Sequence, residues 1–200
     1  LARFVGGARA VAVLSGVTGG APAALALNTD LALAALEAAA RGGARRVLIA
    51  STAAVYGGGG PFGEDAPRAP SGPYGHAKAM MEDAVQAWVS AHRGRGPEVA
   101  ILRIGNVAGA DWLLGGGTGP VVLHRCAGGR GPLRSYIGPD ALAEAIAALA
   151  TGPTPPAIVN ASAPGTVAMG DLARAAGRPV IWRDGPADAP ERVEIDPVTK

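Results

Sequence analysis

The sequence predicts an α/β fold: a doubly wound parallel sheet with helices on both faces and a small C-terminal lobe. Two observations predict it. Apolar runs of strand length alternate along the chain with longer segments of helical length. These runs are apolar throughout and do not alternate with polar residues, which is typical of parallel strands covered on both faces. Ligands of such sheets bind beyond the carboxyl ends of the strands, so a functional site is expected there.

The elements follow from this pattern in chain order. Strands are predicted over 10–15, 46–50, 99–104, 134–137, 157–161 and 180–182. Helices are predicted over 23–41, 74–92, 141–150 and 168–176. The first helix is rich in Ala and Leu and should end at Gly42-Gly43, and Asp140 is a candidate cap for the third. A Gly/Pro-rich loop is predicted over 57–73, and the tail beyond Arg183 is predicted to be mostly loop.

Composition narrows the classes of function. A chain of 200 residues can bury one core, and its formal charge of +2 with scattered arginines argues against nucleic acid as the main partner. Cys126 is the single cysteine, so no internal disulfide can form and a reducing compartment is expected. No metal-ligand spacing, signal peptide or apolar run of the ~20 residues that span a bilayer is evident. We therefore expect a cytoplasmic protein with a small-molecule partner, and neither a metal nor a membrane.

One pair of side chains carries most of the chemical information. Lysine occurs only twice, against sixteen arginines, and Lys78 follows Tyr74 by four residues on a predicted helix. Positions i and i+4 share a helix face, so the phenol and the ammonium should lie side by side. A neighbouring cation favours the phenolate, which would lower the pKa of Tyr74 and suit it to general acid–base catalysis. The alternative is an ordinary exposed helical pair.

Three segments bring reactive side chains to the predicted strand ends. They are 47–57, which contains Ser51 and Thr52, then 73–78, and then 102–106, which ends at Asn106. Thr52 would hydrogen-bond a substrate oxygen, Tyr74 would take or return its proton, and Lys78 would stabilise the phenolate and hold a ribose hydroxyl. An alcohol that loses its proton becomes a hydride donor, so the site needs an acceptor such as a bound nicotinamide.

These segments resemble a known family. Ser51-Thr52-Ala-Ala-Val-Tyr-Gly, Pro73-Tyr74-Gly-His-Ala-Lys78 and Leu102-Arg-Ile-Gly-Asn106 are similar to motifs of the extended short-chain dehydrogenase/reductases, and more narrowly of the NAD-dependent epimerase/dehydratase family. Four further segments resemble the family in the expected order: Val13-Leu-Ser15-Gly16-Val-Thr18, its fourth strand and turn; Asn28-Thr-Asp-Leu, the asparagine that opens its next helix; Arg134-Ser-Tyr-Ile-Gly-Pro-Asp140; and Val159-Asn160 with Gly165.

The resemblance implies a partial Rossmann-type NAD(P)-binding core over 1–109 and a small substrate-binding lobe over 110–200, interleaved with the last core elements. It implies NAD or NADP as cofactor, a sugar or nucleotide sugar as substrate, and a homodimer formed through the helices over 23–41 and 74–92. The catalytic residues it implies are Thr52, Tyr74 and Lys78. The cofactor-binding residues it implies are Ser15, Gly16, Ser51, Tyr74, Lys78, Arg103 and Ile104. The substrate-binding residues it implies are Thr18, Ala53, Asn106 and Arg134.

Three departures from the family pattern refine this expectation. The family's Gly-x-x-Gly-x-x-Gly turn, which holds the cofactor pyrophosphate, is absent. We therefore expect this chain to start after the family's third strand, about 60 residues after the start of a typical family member. We also expect it to bind NAD weakly by itself. Ala53 and Ala54 stand where dehydratases carry Asp-Glu, which disfavours dehydration. Gly138 and Ser135 replace a family histidine and aspartate, and the spacing between Asn106 and Arg134 leaves only a small substrate lobe.

The sequence therefore predicts an NAD(P)-dependent oxidoreductase or epimerase that acts on a hydroxyl-bearing carbon. A one-way NADP-dependent reductase of a small carbonyl compound and a non-catalytic NAD(P)-binding protein are the alternatives. Some site residues also have structural interpretations: Ser51 and Thr52 could simply end a strand, Asn106 could stabilise a turn, and Arg134 could lie on a solvated edge.

Overall fold

The fold is built on a four-stranded parallel sheet. A computed structural model describes residues 5–115, 117–126, 129, 131–186 and 189–197. Its strands are β1 Ala10–Val13, β2 Arg46–Thr52, β3 Gly59–Phe62, β4 Glu98–Ile104, β5 Asn106–Val107, β6 Val121–Arg125, β7 Leu133–Arg134, β8 Tyr136–Ile137, β9 Ile158–Ala161, β10 Val167–Ala168, β11 Val180–Asp184 and β12 Arg192–Ile195. Its helices are α1 Pro22–Gly42, α2 Pro73–Ala91, α3 Pro139–Thr151 and α4 Met169–Ala175. The main sheet has the order β1-β2-β4-β9, and every pair in it is parallel.

Helices cover both faces of this sheet. Val47 and Ile49 of β2 belong to the buried cluster formed with α1 and α2, whereas Leu48, between them, packs with Leu102 and with residues of α3 on the other face. Successive residues of a strand point to opposite faces, so an entirely apolar strand is what a sheet buried on both sides requires. The doubly wound α/β fold predicted from the sequence is confirmed.

Proline and glycine fix the ends of the long helices. Pro22 and Pro73 occupy the first turns of α1 and α2, where a missing N–H costs nothing. Gly43 ends α1 with φ of 73°, in the left-handed region. Among the described residues, α1 is the one helix long and apolar enough to cross a bilayer, which the composition had not suggested. Here its residue Leu36 is fully buried in the cluster that α1 shares with α2 and the sheet.

The second half of the chain departs most from the predicted elements. The tail was predicted to be mostly loop, but β12 forms there and pairs in parallel with both β3 and β7. The strand predicted over 134–137 is divided at Ser135, whose neighbours pair with different partners: Arg134 faces Val193, and Tyr136 faces Asn106. The predicted cap Asp140 lies in the first turn of α3, while Gly138 occupies the N-cap position without a side-chain cap.

Candidate active site

The hydroxyls of Thr52 and Tyr74 meet at the carboxyl end of β2. Thr52 is the last residue of β2, and its Oγ1 accepts a hydrogen bond of 3.2 Å from the amide of Ala54, which lies in a short 3₁₀ turn. Tyr74 is the second residue of α2, so its side chain reaches back across the loop to β2. There its hydroxyl lies near that of Thr52, whose interaction with it favours a lower pKa of Tyr74. The structure thus brings together two of the three predicted catalytic residues.

Lys78 lies one helical turn after Tyr74 and is almost completely buried, with 4% of its surface exposed. Its Nζ donates a hydrogen bond of 2.9 Å to the carbonyl of Ala50 and lies 3.7 Å from Sδ of Met81. Ala50 and Thr52 are two residues apart on β2, so Lys78 and Tyr74 contact the same stretch of strand. All three predicted catalytic residues therefore lie at one edge of the sheet.

The acid–base properties of the pair differ from the sequence prediction. Burial raises the pKa of Tyr74, and the hydrogen bond to Thr52 offsets only part of this rise. Burial lowers the pKa of Lys78, and the negative charge of Glu82 offsets part of that change. The expectation that Lys78 makes the Tyr74 phenol acidic is thus wrong for the protein without ligands. Desolvation acts against the charged form of both groups and exceeds the opposing contributions.

The loop after β1 passes directly beside Lys78. A Cβ on Gly16 would lie 2.8 Å from Oδ1 of Asn28 and 3.3 Å from Nζ of Lys78, so only glycine allows this close approach. Asn28 fixes the loop: its Oδ1 accepts from the amide of Val17 at 3.1 Å, and its Nδ2 donates to the carbonyl of Val17 at 2.9 Å. Asn28 lies within α1 and does not open a helix as the resemblance implied, because α1 begins at Pro22. Ser15 and Gly16 are exposed in this loop.

The side chains of Ser51 and Arg103 face away from this edge into the protein. The Ser51 hydroxyl donates to Oε1 of Glu82 at 2.6 Å, and the Arg103 guanidinium pairs with the same carboxylate at 2.8 Å. Arg103 also donates to the Tyr56 hydroxyl at 2.7 Å and stacks over its ring. A contact with a cofactor could therefore come only from the backbone of Ser51 and Arg103. Ile104, at the end of β4, lies opposite Thr52 in the sheet register.

A small cavity of about 80 Å³ adjoins Thr52. Its lining contains three of the four predicted substrate-binding residues, and consists of Thr52, Ala53, Ala54, Asn106, Arg134, Ser135 and Val193. Arg134 donates to the carbonyls of Pro190 and Glu191, both at 3.1 Å, and burial lowers the pKa of its guanidinium. Thr18, the fourth predicted residue, is exposed in the loop after β1 and does not line the cavity.

A much larger cavity lies elsewhere. It has a volume of about 590 Å³ and runs along the groove between α1 and α2, where the lining is mostly apolar and includes Met80. None of Thr52, Tyr74 and Lys78 lines it. In the part of the chain that the structure describes, no group of three or more His, Cys, Asp or Glu side chains is arranged to hold a metal ion.

Sequence reasoning did not single out three polar residues that the structure places behind the site. Glu82 follows Lys78 by one turn of α2 and is completely buried, and Asn160 accepts a hydrogen bond of 2.9 Å from Tyr56. Asn28 and Asn160 were noted only because their segments resemble family motifs, and no role was assigned to either. The available signal was spacing: Lys78 and Glu82 repeat the i, i+4 relation of Tyr74 and Lys78.

The family model of the NAD-dependent epimerases and dehydratases matches residues 10–124, which include β1, β2, α2 and β4. The chain belongs to this family. Residues 10–124 thus contain all three predicted catalytic residues of a family member.

Curated relatives agree with the family match. A UDP-glucose 4-epimerase of Azospirillum brasilense is 44% identical over 102 residues, which are 48% of this chain and 28% of the relative. A putative UDP-arabinose 4-epimerase 4 of Arabidopsis thaliana is 39% identical over 85 residues, 42% of this chain and 19% of the relative. The matched segments span less than a third of either relative.

Solved structures show the same fold. TunA, described as an NAD-dependent NDP-hexosamine 5,6-dehydratase, superposes with a TM-score of 0.80 at 21% identity, over 98% of this chain and 70% of that one. A UDP-glucose 4-epimerase of Thermus thermophilus, solved with NAD, gives a TM-score of 0.74 at 24% identity, over 94% of this chain and 69% of that one. This family member therefore has the Rossmann-like architecture of both dehydratases and epimerases.

Proposed function

We propose that this family member carries out NAD-dependent epimerisation at a hydroxyl-bearing carbon of a nucleotide sugar. The observation that carries the proposal is the placement of Thr52, Tyr74 and the buried Lys78 together at the carboxyl edge of a parallel sheet. The two curated relatives, both named as 4-epimerases, support the reaction type. As in other open α/β sheets, the strand ends are where a ligand would bind.

The chain's own residues define the acid–base steps. A tyrosine phenol is protonated at neutral pH, and burial raises the pKa of Tyr74 further, so it can donate a proton to a substrate carbonyl oxygen. For the reverse step Thr52 and Lys78 would stabilise the phenolate while it accepts the hydroxyl proton. NAD, when bound, would accept a hydride from the same carbon and return it to the opposite face.

The residues present fit the part of NAD that adjoins the reacting carbon. The absence of a side chain at Gly16 leaves room for a cofactor to approach Nζ of Lys78 closely. The hydrogen bonds described for this Nζ are to one carbonyl and one thioether. Lys78 would hold a ribose hydroxyl, and the backbone of Ser15 and Gly16 would lie along the cofactor. NAD is the cofactor that the solved neighbour from Thermus thermophilus contains.

Epimerisation is favoured over dehydration by the lining of the cavity next to Thr52. Loss of water needs side chains that transfer protons, and no Asp or Glu is among the described lining residues. The lining has Ala53 and Ala54 there, and their methyl groups can neither donate nor accept a proton. The site as described can move one proton, through Tyr74, and this is sufficient for an epimerase.

The size of the same cavity favours a second candidate. A volume of about 80 Å³ is far below the ~300–1,000 Å³ usual for ligand pockets, and it would suit a small carbonyl compound. The protein would then be a one-way reductase. A nucleotide sugar would instead require this cavity to widen.

Incubation of the full-length protein with NAD and a panel of UDP-sugars separates these functions. An epimerase should form the 4-epimer, detected by chromatography, with no net change in the absorbance of reduced nicotinamide. Stoichiometric oxidation of NADPH with a small aldehyde or ketone would favour the reductase. Binding of the cofactor without turnover of any substrate would indicate the non-catalytic alternative and contradict the proposal.

We also propose that the apolar groove between α1 and α2 is the interface of a homodimer. Met80 on α2 is 68% exposed, and Leu27 and Leu31 on α1 are 46% and 38% exposed. Of these three side chains Met80 lines the groove, and an exposed apolar groove is typical of a contact face. A second copy would bury these side chains and leave the edge with Tyr74 free.

A further inference from the structure

Glu82 is the most completely buried carboxylate close to the site. Its side chain is 0% exposed. Its carboxylate accepts one hydrogen bond of 2.6 Å from the Ser51 hydroxyl and three, of 3.1, 3.3 and 2.8 Å, from the Arg103 guanidinium. Arg68 adds a contact of 3.3 Å. A carboxylate without solvent needs such bonds, because an unpaired charge in the interior is costly.

These bonds connect the three elements that carry the site. Ser51 immediately precedes Thr52 at the end of β2, Arg103 lies near the end of β4, and Glu82 belongs to the helix that carries Tyr74 and Lys78. The Glu82 carboxylate therefore joins the helix to both strands within one residue of Thr52. A shift of Glu82 would change the separation of the Thr52 and Tyr74 hydroxyls.

Glu82 is also the carboxylate one turn from Lys78. Lys78 is faced by Met81 and Glu82 from its own helix, by the neutral Asn28 and Gly16 from α1 and the preceding loop, and by the Ala50 carbonyl from β2. The positive groups Arg103 and Arg68 both pair with Glu82. Of these groups Glu82 is the one that lowers the free energy of the ammonium form by charge.

We infer that Glu82 is a positioning residue of this site, which holds the Thr52 end of β2 against α2 and whose charge maintains Lys78 as an ammonium. The inference deepens the proposed function and rests on it for the role of Lys78 in turnover. The charge effect itself does not depend on any substrate. Burial and the Glu82 charge oppose each other in setting the pKa of Lys78.

The charge effect can be measured without any activity. The chain has two lysines, Lys78 and Lys200, so a protein labelled with ¹³C at lysine Cε gives two signals whose shifts follow protonation. Glu82→Gln should lower the titration midpoint of Lys78 by about 1 pH unit. Glu98→Gln is the matched control, since Glu98 also pairs with a buried arginine but at the opposite end of β4. It should leave the Lys78 midpoint unchanged.

An unchanged Lys78 midpoint in folded Glu82→Gln would overturn the charge role. Glu82→Asp tests the positioning role, because it keeps the charge but shortens the side chain. It can be measured even if Glu82→Gln does not fold. It should keep the Lys78 midpoint and lower kcat by about 10-fold or more, with KM less affected. A wild-type kcat in Glu82→Asp would refute the positioning role. If the unaltered protein epimerises no substrate, the proposed function fails, while the lysine titration still decides the charge role.

Discussion

The two ends of the central strand pair β2–β4 each carry a buried arginine paired with a glutamate, yet they differ in what surrounds the pair. At the amino end Arg46, 3% exposed, donates to Glu98 at 2.9 Å and to carbonyls at the end of α3, Leu149 and Gly152. At the carboxyl end Arg103 pairs with Glu82, next to Tyr74 and Lys78. The first pair fixes a helix to the sheet, whereas the second lies against ionisable groups of shifted pKa. Similar ion pairs thus fix a helix to the sheet at one end and adjoin the candidate site at the other.

The largest effect on activity is expected from replacing Lys78, the buried cation at the carboxyl end, and not Arg46 at the amino end. Lys78→Met should lower kcat/KM by about 10³-fold and weaken NAD binding, because the phenolate and ribose lose their ammonium. Its stability should be equal or higher, since burial disfavours the Lys78 charge and Met fills a similar volume. Steady-state kinetics, calorimetric titration with NAD and thermal unfolding measure the three quantities.

Arg46→Met is the counterpart at the amino end. It should lower the melting temperature and leave kcat/KM per folded molecule near the wild-type value. A large loss of kcat/KM in the folded Arg46 variant would show that the two ends are not functionally distinct.

Loss of one partner at the carboxyl end should affect stability strongly. Arg103→Met leaves the Glu82 carboxylate buried with fewer donors and should reduce the free energy of unfolding by about 3 kcal/mol. Glu98→Gln should have a smaller effect, because the Glu98 side chain is 28% exposed. Denaturant unfolding of both variants makes the comparison, and equal losses would contradict the difference in burial.

The two ends should also respond to pH in opposite directions. The pKa of Tyr74 is raised by burial, so its contribution to stability is present below its ordinary value of 10.0 and is lost as pH rises through the folded pKa. The pKa of Glu98 is lowered, first by its hydrogen bond with Arg46, so its contribution is lost as pH falls below 4.5.

Thermal unfolding across pH should therefore show that Tyr74→Phe reduces the alkaline loss of stability and Glu98→Gln the acid loss. Phenolate absorbance provides an independent check on the first. Ionisation of all three tyrosines at their ordinary pKa would contradict it, because burial raises the pKa of Tyr56, Tyr74 and Tyr136.

The smallest effect on chemistry is expected at the groove between α1 and α2. Met80→Arg places a charge in the proposed dimer interface and should convert a dimer to a monomer in sedimentation velocity, with the Lys78 titration unchanged. Met80→Leu is the matched control and should remain dimeric. A wild-type protein that is monomeric at high concentration would contradict the proposed interface.

The fold could be predicted from the sequence where local pattern determines it, and not where distant parts of the chain determine it. Buried strands such as β2 and β4 and the helices between them were predictable, because short, largely apolar runs that alternate with helical segments are typical of parallel strands covered on both faces. Strand β12 was not, since its Arg-Val-Glu-Ile sequence is short and alternating, and it is stabilised by the partners β3 and β7 far away in the chain.

The candidate site shows the same division. Tyr74 and Lys78 were found from their i, i+4 spacing, which local geometry turns into proximity. Glu82 was missed because a single glutamate on a helix is usually exposed, and only the approach of Ser51 and Arg103 from two strands buries it. The pKa of Tyr74 was misjudged for a related reason: spacing reveals a neighbouring charge but not the extent of desolvation.

Tyr74→Phe in the full-length protein, assayed with NAD and a UDP-sugar that the unaltered protein epimerises, tests the central claim most directly. In the proposed mechanism the phenol donates and accepts the substrate proton, so its replacement should lower kcat by about 10³-fold while the Kd for the nucleotide sugar changes little. A Tyr74→Phe variant with wild-type kcat would contradict the proton-transfer role assigned to Thr52, Tyr74 and Lys78.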